Sequence, residues 1–331
     1  MWRSLTGVNV GDLLPLPGLD GYRASVEEEL RRCVAGEDAF LTEVASHLII
    51  AGGHRWRPVL AIGATLAGGA PVTADVVRGA CAVELVHLGS LYHDDVIDEA
   101  PTRRTVDSVN ARWGNLMAIV AGDFLLARAS EIAASLGTEV AGLLAATIGR
   151  LCEGEVQELR SKFDVDRSEA SYLGSIDGKT GSLLSASCRI GGLVAGLSRS
   201  EVDALTAYGS AFGIVFQIVD DINDLVLSEA ELGKPAGHDL IEGVYTLPVL
   251  RALDTPEAGA ELRALLGRPV DRPEADKARS IVVGSGGIES AVRSAREWAD
   301  KARSALGELG SSAAADALGQ LGHSLLDSLP A

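Results

Sequence analysis

The segment from Thr73 to Asp98 constrains this chain more than any other. Apolar residues fall on every side of it: Val76, Val77, Ala80, Val83, Leu85, Val86, Leu88 and Leu91. A helix with no polar face is buried all round, so other helices must surround it. Thr73, two residues after Pro71, reads as its N-cap. The segment ends in Asp94, Asp95 and Asp98, with Arg103 and Arg104 just beyond. Unmatched charge beside apolar surface is costly. The acidic end therefore needs counter-charge from elsewhere in the fold.

The same helical character recurs in 109–135, 138–163, 169–195 and 201–227, separated by Gly and Pro breaks. Aromatic residues are only 4% of the chain, against 47% hydrophobic overall, which favours helices over sheets. The expected fold is all-α: residues 1–19 a loosely ordered lead-in, 20–331 one domain. Residues 256–329, more polar, form its outer layer. A net charge of −17 argues against nucleic acid as a partner. Cys33, Cys81, Cys152 and Cys188 lack metal-ligand spacing and read as reduced packing residues. No signal-like apolar run opens the chain, and no uninterrupted apolar stretch approaches the ~18 residues of a membrane span. A cytoplasmic protein is expected.

A second acidic cluster repeats the first. FQIVDDINDL, residues 216–225, carries Asp220, Asp221 and Asp224 in the same D-D-x-x-D spacing. Residues four apart share a helix face, so Asp94 with Asp98, and Asp220 with Asp224, form carboxylate pairs. If the two helices lie side by side, the pairs face each other across a cavity. Hard oxygen donors so arranged suit Mg²⁺, which binds through one or two carboxylates plus substrate phosphates. Zinc fits less well without His or Cys in the clusters, and no EF-hand loop is present. The bland alternative, two solvated helix ends, does not account for both clusters ending apolar helices. An anionic ligand would also need cations. Candidates are Arg55 and Arg57 in AGGHRWRP, Arg103 and Arg104, Lys179 and Thr180 in GKTGS, and Lys234 in GKPAGHD.

Together these stretches resemble the trans-isoprenyl (polyprenyl) diphosphate synthases. DDVID and DDIND look like that family's two aspartate-rich motifs. GGHRWRP is similar to its GGKRxRP turn, GKTGSL to its Lys-Thr segment, and GKPAGHDLIEGVYTLP to its later signature. The resemblance runs from about residue 20 to 325. It implies a helical bundle around a deep central cavity, usually a homodimer. It also implies a Mg²⁺-dependent reaction, with three ions and a bound diphosphate: an allylic diphosphate ionises, isopentenyl diphosphate attacks head-to-tail (1'-4), and a proton is lost. Carried over by motif position, Asp94, Asp98 and Asp220 would hold metal directly, and Asp95, Asp221 and Asp224 would assist, supported by Glu158. Arg103, Lys179, Thr180 and Lys234 would hold the allylic diphosphate. His54, Arg57, His87, Arg104 and Gln217 would hold isopentenyl diphosphate. Asp94, Asp98, Lys179, Asp220 and Lys234 form the implied catalytic set.

Three positions depart from the family pattern: His54 for Lys, Thr105 for Gly and Val244 for Lys. The pKa of His54 would rise beside a diphosphate. Gly89 and Ser90, one turn before Asp94, are expected to floor the pocket. Short-chain members block that level with an aromatic side chain, so the small residues imply an all-trans product beyond C20. The alternatives are a geranylgeranyl diphosphate synthase, a class I terpene cyclase, or a regulatory subunit of a heteromeric synthase. So apolar a product implies transient membrane contact on release.

Overall fold

A computed structural model of the chain describes residues 10–229 and 236–330. Its described residues are almost wholly helical. The first half contains α1 (Val10–Leu13), α2 (Leu19–Val34), α3 (Ala39–Ile50), α4 (Trp56–Ala67), α5 (Ala74–Ile97), α6 (Val109–Trp113), α7 (Asn115–Leu136) and α8 (Thr138–Arg160). Next come α9 (Glu169–Ile176), a π-helical turn (Asp177–Gly181), α10 (Ser182–Val194) and α11 (Arg199–Val226). The described remainder holds α12 (His238–Glu242), α13 (Leu247–Leu253), α14 (Pro256–Leu265), α15 (Arg272–Gly284), α16 (Gly287–Ala305) and α17 (Ala313–Asp327).

The all-apolar segment is α5, opened by the Thr73 cap and closed at Asp98. It is sheathed by α2, α4, α7 and α10. The second acidic helix, α11, opens in a capping box of Ser198 and Glu201. It lies against α10 and α16. The two acidic helices make at most marginal contact with each other: α5 packs chiefly on α7 and α11 on α10 and α16, while α10, with α4 beside it, touches both. α4 and α10 thus join two apolar clusters, one around α5 and α7 and one around α11 and α16.

Several boundaries differ from expectation for physical reasons. The lead-in is ordered where it is described, because Val10, Leu14, Leu16 and Leu19 are buried against the α11 cluster. Gly114, at φ 86°, breaks 109–135 into α6 and α7. A two-strand hairpin, β1 (Thr102–Arg103) and β2 (Val106–Asp107), stands between α5 and α6. The polar α16 is an outer helix, yet Ala291, Ala295, Ala299 and Ala302 form a buried stripe against α11. Cys81 and Cys188 are packing residues as expected, whereas Cys152 is exposed.

The joint between α4 and α10 depends on close backbone approach. A Cβ on Gly191 would run into the Ala61 carbonyl. Overpacking of this kind costs about 1–3 kcal/mol. Gly191→Ala is expected to lower unfolding stability by about 2 kcal/mol in chemical denaturation. A change within experimental error would mean that the two helices can separate freely.

Candidate active site

Lys179 sits at the centre of the site. Its Nζ lies 2.6 Å from Glu155 Oε2 and 2.7 Å from Glu158 Oε1, both on α8. Burial pulls its pKa down, but Glu158 and Glu155 outweigh burial, and the ammonium is held above its usual range. The π turn that carries it is seated by glycines. A Cβ on Gly154 would lie 2.6 Å from the Lys179 backbone N, and one on Gly213 would lie 2.5 Å from Gly181 Cα. Asp177 anchors the turn, accepting from Arg150 at 2.5 Å and from the Ser210 hydroxyl at 3.0 Å. Single π turns often mark functional sites. Here the turn aims Lys179 at Glu155 and Glu158 and Thr180 at Gln217.

The first cluster reaches this lysine, and the second reaches its partner Glu158. Asp94 lies within electrostatic range of Lys179 and Glu155, and Asp221 within range of Glu158. Burial raises the carboxyl of Asp94 to about 7, with Lys179 opposing, and burial raises that of Asp221 to about 7 as well. The remaining acids divide the work. Asp98, the C-cap of α5, is exposed. Asp95 is fully buried and accepts from Arg103 Nε at 2.7 Å, with Arg103 Nη2 at 2.5 Å. Asp221 accepts from the Tyr172 hydroxyl at 2.5 Å and from Gln217 Nε2 at 2.9 Å. Asp224 takes the Asp239 backbone amide at 3.3 Å and so ties α11 to α12. Asp95, Asp221 and Asp224 therefore bond to protein groups, and Asp220 lines the neighbouring cavity.

Among the described residues, no three acids, histidines or cysteines are drawn into a ready-made metal cage. The donor set still fits Mg²⁺: it is all oxygen, includes carboxylates that burial disfavours as anions, and leaves coordination places for ligand phosphates.

On the other side of Asp220, a cavity of about 380 Å³ is lined by Gly53, His54, Arg57, Glu84, His87, Arg104 and Phe216, among others. Burial pushes Arg57 and Arg104 down to about 10. Burial followed by these arginines holds His87 well below its usual range. His54 is also lowered, by burial and then Arg104. Crowded, desolvated cations are what an anion site looks like before its anion arrives.

Other expected residues fall elsewhere. Arg103 is committed to Asp95 rather than to the cavity. Gln217 turns to the opposite side, accepting from Thr180 Oγ1 at 2.7 Å. Arg55, on the same turn as Arg57, is a clamp, 2.6 Å from Glu27 and 3.0 Å from Glu84. Lys234 lies outside the described residues. Val244 is buried. Gly89 stands at the crossing of α5 and α7, where a Cβ would meet the Gly122 carbonyl at 3.0 Å. Ser90 is half-buried, its hydroxyl donating to the His87 carbonyl at 2.9 Å. Phenylalanine at 89 would disturb that crossing before testing any floor.

Three participants escaped the sequence reading: Glu155, Glu84 and Tyr172. Glu155 carried a signal, being on the same helical face as Glu158 one turn before it. Glu84 and Tyr172 carried none beyond polarity inside an apolar helix.

Two outcomes follow from this geometry. Arg104 and Thr105 form the two-residue loop of the hairpin, with φ of 52° and 67°. A β-branched residue is strained there and glycine is not. Thr105→Gly is expected to raise stability by about 1 kcal/mol, measured by denaturant titration. The second outcome concerns pH. In the fold Asp94 keeps its proton to about 7, whereas the unfolded chain loses it near 3.8. This group therefore lowers stability as pH rises across that window. In EDTA, Asp94→Asn should melt above the parent at pH 8, and the gap should close by pH 4. A gap independent of pH would contradict the burial of a charged Asp94.

Comparison with known proteins agrees with the geometry. The sequence model of the family described as polyprenyl synthetase matches residues 38–282. A nonaprenyl diphosphate synthase of Mycobacterium tuberculosis is 39% identical over 303 residues, covering 90% of each chain. Heptaprenyl diphosphate synthase component 2 of Geobacillus stearothermophilus is 41% identical over 280 residues, covering 84% of this chain and 87% of that one. The crystal structure of a polyprenyl synthase from Caulobacter crescentus CB15, complexed with calcium and isoprenyl diphosphate, has a TM-score of 0.86 at 33% identity and covers 93% of this chain and 94% of that one. With two acidic clusters around the Lys179–Glu158 pair beside a cationic cavity, and likeness over nearly the whole length, the chain belongs to the polyprenyl synthetase family and is a prenyltransferase.

Proposed function

We propose that this protein elongates an allylic prenyl diphosphate by head-to-tail condensation with isopentenyl diphosphate, in the cytoplasm, to an all-trans product longer than C20. One observation carries the reading: two chemically opposite subsites meet at Asp220. The cationic cavity of Arg57, His87 and Arg104 suits isopentenyl diphosphate. The acid-rich side, with Lys179 and Thr180, suits the allylic diphosphate. Asp94, Asp98 and Asp220 would hold magnesium, which would supply electrophilic stabilisation of the leaving diphosphate. Lys179, within electrostatic range of Asp94, adds a donor where that charge develops. The apolar walls of α5, α10 and α11 exclude water from an electron-poor allylic centre. No side chain is needed as base, since the departing diphosphate can take the proton.

The proposed length rests on the small residues at 89 and 90 and on the names of the relatives. A homodimer is proposed on the exposed apolar side chains of α7 and α8: Leu116, Ile119, Val120, Val156 and Leu159. A second copy would cover them, and light scattering should report twice the 34.4 kDa chain mass. The product's length favours release to a membrane or detergent.

The lone polypeptide, incubated with Mg²⁺, isopentenyl diphosphate and farnesyl or geranylgeranyl diphosphate, should give a hydrolysed product heavier than the C20 alcohol by mass spectrometry. A product ending at C20 contradicts the proposed length and points to geranylgeranyl diphosphate synthesis. Hydrocarbon released without isopentenyl diphosphate points to a cyclase. Turnover only after adding a partner chain points to a subunit, a role the component 2 relative makes worth testing.

A further inference from the structure

A relay of buried hydrogen bonds runs from α9 to the mouth of the allylic subsite. The Tyr172 hydroxyl donates to Asp221 Oδ2 at 2.5 Å. Gln217 Nε2 donates to the other oxygen at 2.9 Å, and Gln217 Oε1 accepts from Thr180 Oγ1 at 2.7 Å. Tyr172 is 1% exposed, Thr180 1% and Asp221 3%, so water does not compete with these bonds. Arg167 backs the start of the relay. Its guanidinium lies 5.5 Å from the Tyr172 ring centroid and is pinned to the Tyr245 carbonyl and the Ser175 hydroxyl.

With Asp221 ionised, the polarity of this relay is fixed by chemistry. A carboxylate only accepts. With both oxygens of Asp221 occupied, Tyr172 must donate to one and the Gln217 amide nitrogen must face the other. The Gln217 oxygen then faces Thr180 and takes its proton, so towards any ligand the Thr180 hydroxyl can only accept, as it would from magnesium-bound water. If Tyr172 let go, Asp221 could rotate, the Gln217 amide could flip, and Thr180 would lose its fixed orientation.

We propose that Tyr172 is a positioning residue for the reaction. Acting through Asp221 and Gln217, it sets the orientation of Thr180 in the allylic diphosphate subsite. This rests on the assignment of Lys179 and Thr180 to that subsite. Asp221, on this account, serves as the hub of the relay rather than as a direct metal ligand. The isopentenyl diphosphate cavity stands apart, because none of the four relay residues lines it.

The test is a double-mutant cycle of Tyr172→Phe and Asp221→Asn, with two readouts. Partners that orient metal and phosphate ligands are typically worth about 10–100-fold. Tyr172→Phe should raise the KM for the allylic substrate, and weaken Mg²⁺-dependent binding of inorganic diphosphate in calorimetry, by about tenfold. The KM for isopentenyl diphosphate should stay within about twofold, a split that general loosening would not produce. The double variant should be no worse than Asp221→Asn alone, because Tyr172 acts only through that carboxylate. Additive losses, or equal shifts in both KM values, overturn the inference. If Tyr172→Phe fails to fold, Gln217→Met cuts the same relay one link later and should give the same split between substrates; equal shifts there overturn it too. An active parent whose Tyr172→Phe variant is unchanged overturns this inference alone. A parent with no metal-dependent diphosphate binding overturns the reading of the site and the inference with it.

Discussion

Charge inside an apolar bundle has to be matched, and in this protein the matching organises everything around it. Lys179 is held between Glu155 and Glu158, Arg103 on Asp95, and Arg55 between Glu27 and Glu84. Breaking one side of a buried pair leaves the other charge stranded, at about 3–5 kcal/mol, so these pairs are strong constraints on how the helices sit. Once they are made, two regions keep an excess of one sign. The cavity beside Asp220 is crowded with Arg57, Arg104, His54 and His87 against Glu84. The space beside Asp94 is crowded with carboxylates around one ammonium. A metal-free diphosphate would complement the first region and a magnesium-bound one the second.

The backbone makes that arrangement possible. Gly154, Gly178, Gly181 and Gly213 let α8, the π turn and α11 touch main chain to main chain. Lys179 and Thr180 can then sit between the two acidic helices, which do not need to touch each other. Gly89 and Gly122 do the same for α5 and α7. Small residues at these crossings bring chemistry-bearing helix ends to a common centre without opening the apolar walls between them.

Much of the fold was legible because it is periodic. The all-apolar run of α5, the Thr73 cap and the Gly breaks are local signals, and the structure honours them. The acid spacing was equally local, so the convergence of two D-D-x-x-D ends could be anticipated. What could not be read was how near-identical residues share the work. Asp94 and Asp95 are neighbours, yet one borders the site and the other is consumed by Arg103, because adjacent residues point to different sides of a helix. Gln217 turned towards Thr180 rather than the cationic cavity for the same reason. Tyr172, Glu84 and Glu155 depend on partners on other helices, at separations that no sequence window spans.

Among the described residues the acids form no finished metal cage, and a bound diphosphate would complete one. Calorimetric titration of Mg²⁺ into the protein, with and without inorganic diphosphate, tests it most directly. The account predicts weak, near-millimolar binding alone and binding at least tenfold tighter with diphosphate present, since Mg²⁺ sites typically rely on substrate phosphates. Equally tight Mg²⁺ binding in both titrations would contradict it.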